Sequence, residues 1–235
     1  HLIISNKTLR SVAATTDIIG TTGAALTINS GGVLSLAGTI SGFNGSGNIN
    51  VSGGSLTSTG EINVSGSALN VTNGGTVETD GIRIAGVSTW DSGSVTLNDV
   101  NPFRTGGVVS SSNSFNITAG AGDFTLTHTD LTGGYVNRDI AGKLYTGFFS
   151  LDGVNVDPDG TGFVGSGTGG ALASEADVVA LNAFIKANYT IGGRYLELSD
   201  NTGGERTLSV IAVPEPSSTA LLGLGGLALI LRRRK

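Results

Sequence analysis

Between Leu26 and Val100 the chain repeats one short pattern: two apolar residues flank a polar one, mostly small, and glycine breaks follow. The pairs are Leu26 and Ile28, Leu34 and Leu36, Ile49 and Val51, Ile62 and Val64, Leu69 and Val71, Ile82 and Ile84, and Val95 and Leu97. Alternation with period two marks strands that bury one face. The breaks include Ser30-Gly31-Gly32, Ser52-Gly53-Gly54, Asn73-Gly74-Gly75 and Asp91-Ser92-Gly93, where positive φ costs little. Ile-Asn-Val-Ser-Gly occurs twice, at Ile49 and at Ile62. A longer period is superimposed: Ile28 to Ile49 and Leu56 to Val77 are 21 residues, Ile49 to Leu69 and Ile62 to Ile82 are 20. About 20 residues suit one coil of three short strands, each stacked on its equivalent in the next coil. One such coil cannot bury its face alone, so several are needed. The spacing predicts a parallel β-solenoid (β-helix) of roughly four coils within residues 1–100, with a β-sandwich meander as the alternative.

These strand repeats resemble those of autotransporter passengers and other bacterial surface solenoids. Trp90, the sole tryptophan, interrupts the small-residue pattern. It reads as a large side chain closing the end of a thin core, with a sugar-stacking platform as the alternative.

The composition agrees with many short strands and tight turns: 39 glycines, 13% charged residues, no cysteine and no methionine. Without cysteine there are no disulfides, thiolate metal sites or cysteine nucleophiles. The lack of Met at position 1 reads as the C-terminal part of a longer precursor. Nine basic residues face 18 acidic ones ahead of the final basic cluster, a net charge of −9 that repels nucleic acid phosphate.

The spacing changes at Asn101-Pro102, and residues 101–213 read as a second, β-rich module. Strands are expected at Phe115–Thr118, Asp123–Thr129 and Leu144–Leu151. A helix is expected at Glu175–Asn188, with Ser174 and Asp177 in a capping-box arrangement and Val178, Leu181 and Ile185 as its apolar stripe. A hairpin of Tyr195–Leu198 and Arg206–Val213 closes the module.

Catalytic chemistry finds little support. His128 reads as a surface histidine on a strand, and there is no Gly-x-Ser-x-Gly to supply a nucleophile elbow. Gly165–Gly170 matches GxGxxG but lacks the buried strand that a nucleotide site requires, so it reads as a flexible link. Glu78 and Asp80, the one close carboxylate pair in the repeats, read as outward together. The best ligand candidate is Asn155, Asp157 and Asp159, alternating acceptors followed by Gly160 as at the start of a calcium loop. The closing glutamate is missing, with Ser166 in its place, and a solvated acidic turn is the competing reading. No cofactor other than calcium is suggested, and the protein is expected not to be an enzyme.

The last stretch has three parts in fixed order. Pro214, Glu215 and Pro216 end the preceding strand and leave an exposed joint. Ser217–Leu231 is an uncharged run of 15 residues, roughly 22 Å as a helix against a hydrocarbon core of roughly 30 Å. Arg232, Arg233, Arg234 and Lys235 resist translocation and would hold that end in the cytoplasm.

This order resembles the PEP-CTERM sorting signal of Gram-negative bacteria. The resemblance implies an exosortase partner, a membrane-embedded cysteine protease of transpeptidase type that recognises the Pro-Glu-Pro joint and removes the apolar tail. It also implies delivery to the cell surface or extracellular matrix, transient inner-membrane anchoring, and association with exopolysaccharide. An ordinary membrane anchor is the plain alternative. The whole reads as mainly β: a solenoid over 1–100, a β-rich module with one α-helix over 101–213, and a sorting signal with a short transmembrane helix over 214–235. The function expected is a surface or matrix structural protein of adhesin type. The alternative is the spacer and sorting region of a larger carbohydrate-active enzyme, or a carbohydrate-binding module centred on Tyr135, Tyr145 and the loop 152–160.

Overall fold

The computed structural model describes residues 2–11, 18–19, 23–41, 47–64, 67–84, 86–99, 102–103, 115–132, 140–156, 162–199 and 204–214. The chain opens with β1 (Leu2–Ile4), β2 (Thr8–Arg10) and β3 (Ile18–Ile19), followed by β4 (Leu26–Asn29), β5 (Val33–Leu36) and β6 (Ile40–Ser41). The central coils are β7 (Ile49–Ser52), β8 (Ser55–Val64), β9 (Leu69–Thr72), β10 (Gly75–Ile84), β11 (Ser88–Trp90) and β12 (Gly93–Leu97). Then come β13 (Phe115–Ile117), β14 (Phe124–His128), helix α1 (Ile140–Tyr145), β15 (Phe149–Leu151) and β16 (Val154–Asn155). Helix α2 (Glu175–Asn188) precedes β17 (Arg194–Leu198) and β18 (Arg206–Ala212).

The pairing is parallel wherever one coil meets the next, so the chain forms a β-solenoid of about four turns and not a sandwich of hairpins. Inward residues stack in columns. Ile4, Ile28, Val51, Val71, Trp90, Ile117 and Leu151 lie in register one above another. A second column runs Leu9, Leu34, Leu56, Val77, Val95, Leu126. A third runs Ile18, Ile40, Ile62, Ile82 and ends on Phe103. Each fully buried Leu, Ile or Val adds roughly 1.5–3 kcal/mol, and only the neighbouring coils provide the burial. The sequence spacings Ile49 to Leu69, Leu56 to Val77 and Ile62 to Ile82 are stacked pairs. Ile28 to Ile49 is not, because Ile28 lies on Val51 and Ile49 on Leu26.

The paired glycines at the corners serve two different needs. Gly53 has φ 69°, the left-handed turn between β7 and β8. Gly54 sits on the coil below, where a Cβ would lie 2.6 Å from the Asn29 carbonyl oxygen. Gly74 and Gly75 repeat this division one coil on, with φ 75° at Gly74 and a Cβ at Gly75 only 2.4 Å from the Val51 oxygen.

The parallel ladders continue past residue 100. β13 lies on β11, β14 on β12, and β15 on β13, so both sheets extend into the region expected to be a separate module. Trp90 consequently lies inside the stack and not at its end. It is fully buried, its ring stacks on Phe124 and lies tilted against Phe115, and its indole N–H donates to the Leu69 carbonyl at 3.0 Å. A side chain so enclosed is no sugar platform.

Antiparallel strands then close the stack: β18 pairs with β14 and β17, and β16 pairs with β15. His128 is buried, contrary to the surface position expected for it. It occupies the inward column of Leu97, with Arg206 next in register, and its Nε2 is 2.8 Å from the Asp99 carbonyl. Glu175 at the start of α2 reaches the buried Arg206 guanidinium at 2.7 Å. Polar residues thus enter the column where stacking stops, and a carboxylate from α2 meets Arg206 there.

Helix α2 has the expected bounds and a complete capping box between Ser174 and Asp177. Leu144–Leu151, expected as one strand, is instead α1 followed by β15. Ile140 and Leu144 share one helical face, and Gly147, at φ 75°, ends the helix in a Schellman arrangement. Its closing bonds run from Phe148 N–H to the Lys143 oxygen and from Gly147 N–H to the Leu144 oxygen, at 3.0 and 3.2 Å. Among the described residues no helix is long and apolar enough to cross a membrane, and the expected transmembrane helix lies outside them.

Candidate functional site

The body of the protein ends in a joint that its own sheet positions. β18 lies between β14 and β17, with Leu208 and Val210 buried towards the core. On the β14 side the last contact is Gly122 N–H to the Val210 oxygen at 3.0 Å. On the β17 side the pairing continues to Ala212 opposite Arg194, and Val213 N–H donates to the Gly193 oxygen at 2.8 Å. Pro214 comes next, exposed and without an N–H, so the ladder stops there for a chemical reason. Glu215, Pro216, the apolar run and Arg232, Arg233, Arg234 and Lys235 lie outside the described residues.

The partner of this exit is a tight turn from Ile191 to Arg194, closed by reciprocal backbone bonds of 2.7 and 3.0 Å. Gly192 and Gly193 have φ 56° and 73°, so both need the left-handed region. Arg194 ties the turn down. Its guanidinium donates to the Ala119 carbonyl and to the Asp152 carboxylate, the latter at 2.5 Å. Neither Arg194 nor Asp152 stands out in the sequence; the Asp-Gly pair at 152–153 before a β-branched residue was the available signal. Asp152 and Gly153 have φ 50° and 79°, the two-residue turn that joins β15 to β16.

That turn also bears on the expected calcium loop. Asn155 is in β16, paired with Ser150, while Asp157 and Asp159 lie outside the described residues. Among the described residues no group of three or more His, Asp or Glu side chains is placed to hold a metal ion.

The glycine-rich stretch expected to be a flexible link is tied to α2. Ser166 donates from its N–H and hydroxyl to the Asp177 carboxylate at 2.9 and 2.8 Å, and Ala173 N–H donates to the same group at 2.7 Å. These donors, Ala173 N–H foremost, hold the Asp177 carboxyl below its ordinary value. Tyr145 donates its hydroxyl to the Gly170 oxygen at 3.0 Å and packs its ring on Phe163. Tyr135 lies outside the described residues.

Fold and joint together define a class: a parallel β-solenoid, capped at its C-terminal end, whose last strand passes directly into a Pro-Glu-Pro tail. Residues 212–235 match the family model of the PEP-CTERM protein-sorting motif. That signal implies an exported protein of the cell envelope or surface, with an exosortase as the partner that recognises the motif. No curated protein and no solved structure matches the chain.

Proposed function

We propose that this protein is a non-enzymatic structural component of the cell surface or extracellular matrix, exported and then released from a temporary hold in the inner membrane. One observation carries the reading: the core closes at Val213, and the Pro-Glu-Pro joint, apolar run and basic cluster of the sorting motif all lie beyond that residue. Every described strand and helix thus lies ahead of the joint, on the side that processing would keep. An apolar run of 15 residues would be a marginal span, roughly 22 Å if helical, and four cations behind it would retain it until the joint near Pro214, Glu215 and Pro216 is processed. Association with exopolysaccharide belongs to the same reading and rests on the resemblance of the tail to exosortase substrates. Replacing Pro214, Glu215 and Pro216 with alanine should leave the chain in the membrane fraction with its tail attached. Surface delivery of that variant at the wild-type level would refute the proposal.

A second reading, the solenoid as spacer of a larger carbohydrate-active protein, is favoured by the strands at the opposite end. In β1 and β2 the inward Leu2 and Leu9 are 41% and 46% exposed, although their partners Leu26 and Leu34 are buried, as in a coil that expects another beneath it. Glycan-array binding by the isolated protein would favour a carbohydrate-binding role over a purely structural one.

A further inference from the structure

Three residues separate the folded body from the apolar run. The described pairing ends with Val213, the run begins at Ser217, and Pro214, Glu215 and Pro216 span at most roughly 11 Å when extended. Enzymes that recognise extended peptides engage main chain over several residues. Upstream of the joint that main chain is already in use, because Ala212 and Val213 are paired with Arg194 and Gly193.

The hold on these two residues is lopsided. The β14 side of β18 ends with Val210, so beyond it the described pairing comes from the 191–194 turn. That turn rests on two positive-φ glycines, and Arg194 anchors it to Ala119 and Asp152. While the anchor holds, Val213 can leave only by peeling off a fixed partner. Without it, the turn is free to swing away and the strand end frays, as weakly held strand ends do.

We infer that Ala212 and Val213 unpair before the tail is removed, and that Arg194, acting through Asp152, is a positioning residue that sets how readily they do so. The inference rests on the sorting reading above. Losing one partly exposed ion pair and one charged hydrogen bond should raise the open population about threefold to tenfold.

The test tracks tail loss by intact mass in a pulse-labelled full chain, made in a Gram-negative host that carries an exosortase. Arg194→Ala should lose its tail about threefold to tenfold faster than wild type, and Asp152→Asn should change in the same direction. Four Gly and Ser residues inserted between Val213 and Pro214 should accelerate tail loss and abolish the effect of Arg194→Ala. Because Arg194 and Ala212 face each other and the chain has no cysteine, the double variant Arg194→Cys, Ala212→Cys gives one protein in two states. Oxidised, it should be processed at least tenfold more slowly than reduced, a comparison that holds even where Arg194→Ala lowers the melting temperature. Equal rates for the oxidised and reduced forms, or a wild-type rate for Arg194→Ala, would overturn the inference while the sorting reading stands. Tail loss from the chain with alanine at 214–216 would overturn the sorting reading, and the inference with it.

Discussion

Replacing Trp90 with alanine tests whether the solenoid is held by its columns. Trp90 is fully buried between Val71 and Ile117, and its ring lies 4.6 Å from Phe115 and 5.3 Å from Phe124 between centroids. Removing a buried tryptophan side chain costs about 3–5 kcal/mol through lost transfer energy and the cavity left behind. That range already includes the two lost ring pairs, which are worth about 0.5–1.5 kcal/mol each. Trp90→Phe keeps most of the stacking and removes the indole N–H from the Leu69 carbonyl, at a cost of about 1–2 kcal/mol. Urea unfolding monitored by far-ultraviolet circular dichroism measures both. With a slope near 2 kcal/mol per molar, the alanine variant should shift the midpoint down by roughly 1.5–2.5 M and the phenylalanine variant by less than half of that. A midpoint for Trp90→Ala within about 0.3 M of wild type would refute the idea that the columns carry the stability. In the wild type, Trp90 fluorescence should resist acrylamide quenching until the chain unfolds.

Gly54→Ala should destabilise by about 2 kcal/mol or more in the same assay, because the added methyl meets the Asn29 carbonyl; a change under about 0.5 kcal/mol would show that the coils can separate. Asp177 has its folded pKa below the ordinary 3.8, so its contribution to stability is fully present above that pH and is lost as pH falls through the lower folded value. Asp177→Asn should therefore flatten the acid limb of a melting-temperature profile below about pH 4, and an unchanged limb would contradict the assignment. Millimolar calcium tests the loop of Asn155, Asp157 and Asp159: with Asn155 paired to Ser150 in β16 the melting temperature should stay unchanged, and a rise of several degrees would support the ion loop.

Much of the fold was legible because a solenoid repeats its requirements. Ile49 and Leu69, or Ile62 and Ile82, are apolar at matching positions because each packs on the other. The capping box of α2 was visible for a different reason, being local to four residues. What escaped the sequence depended on neighbours far along the chain. His128 is buried because Arg206 and Glu175 arrive to close its column, and nothing near His128 announces them. The 144–151 stretch alternates like a strand, and only Gly147, as a helix terminator, argued otherwise. At the joint, Pro214 was plain as a strand stop, while the Arg194 anchor was not, because it joins a turn, a hairpin and a strand end that are adjacent only once folded.

The stacked columns make the molecule a ruler. From Ile28 the steps to Val51, Val71, Trp90, Ile117 and Leu151 take 23, 20, 19, 27 and 34 residues, yet each advances one strand. Each such step is about 4.8 Å along the axis, whatever its contour. The longer steps leave the height unchanged, so the length of the rod comes in whole increments, and gaining or losing one coil would change its reach without altering its cross-section.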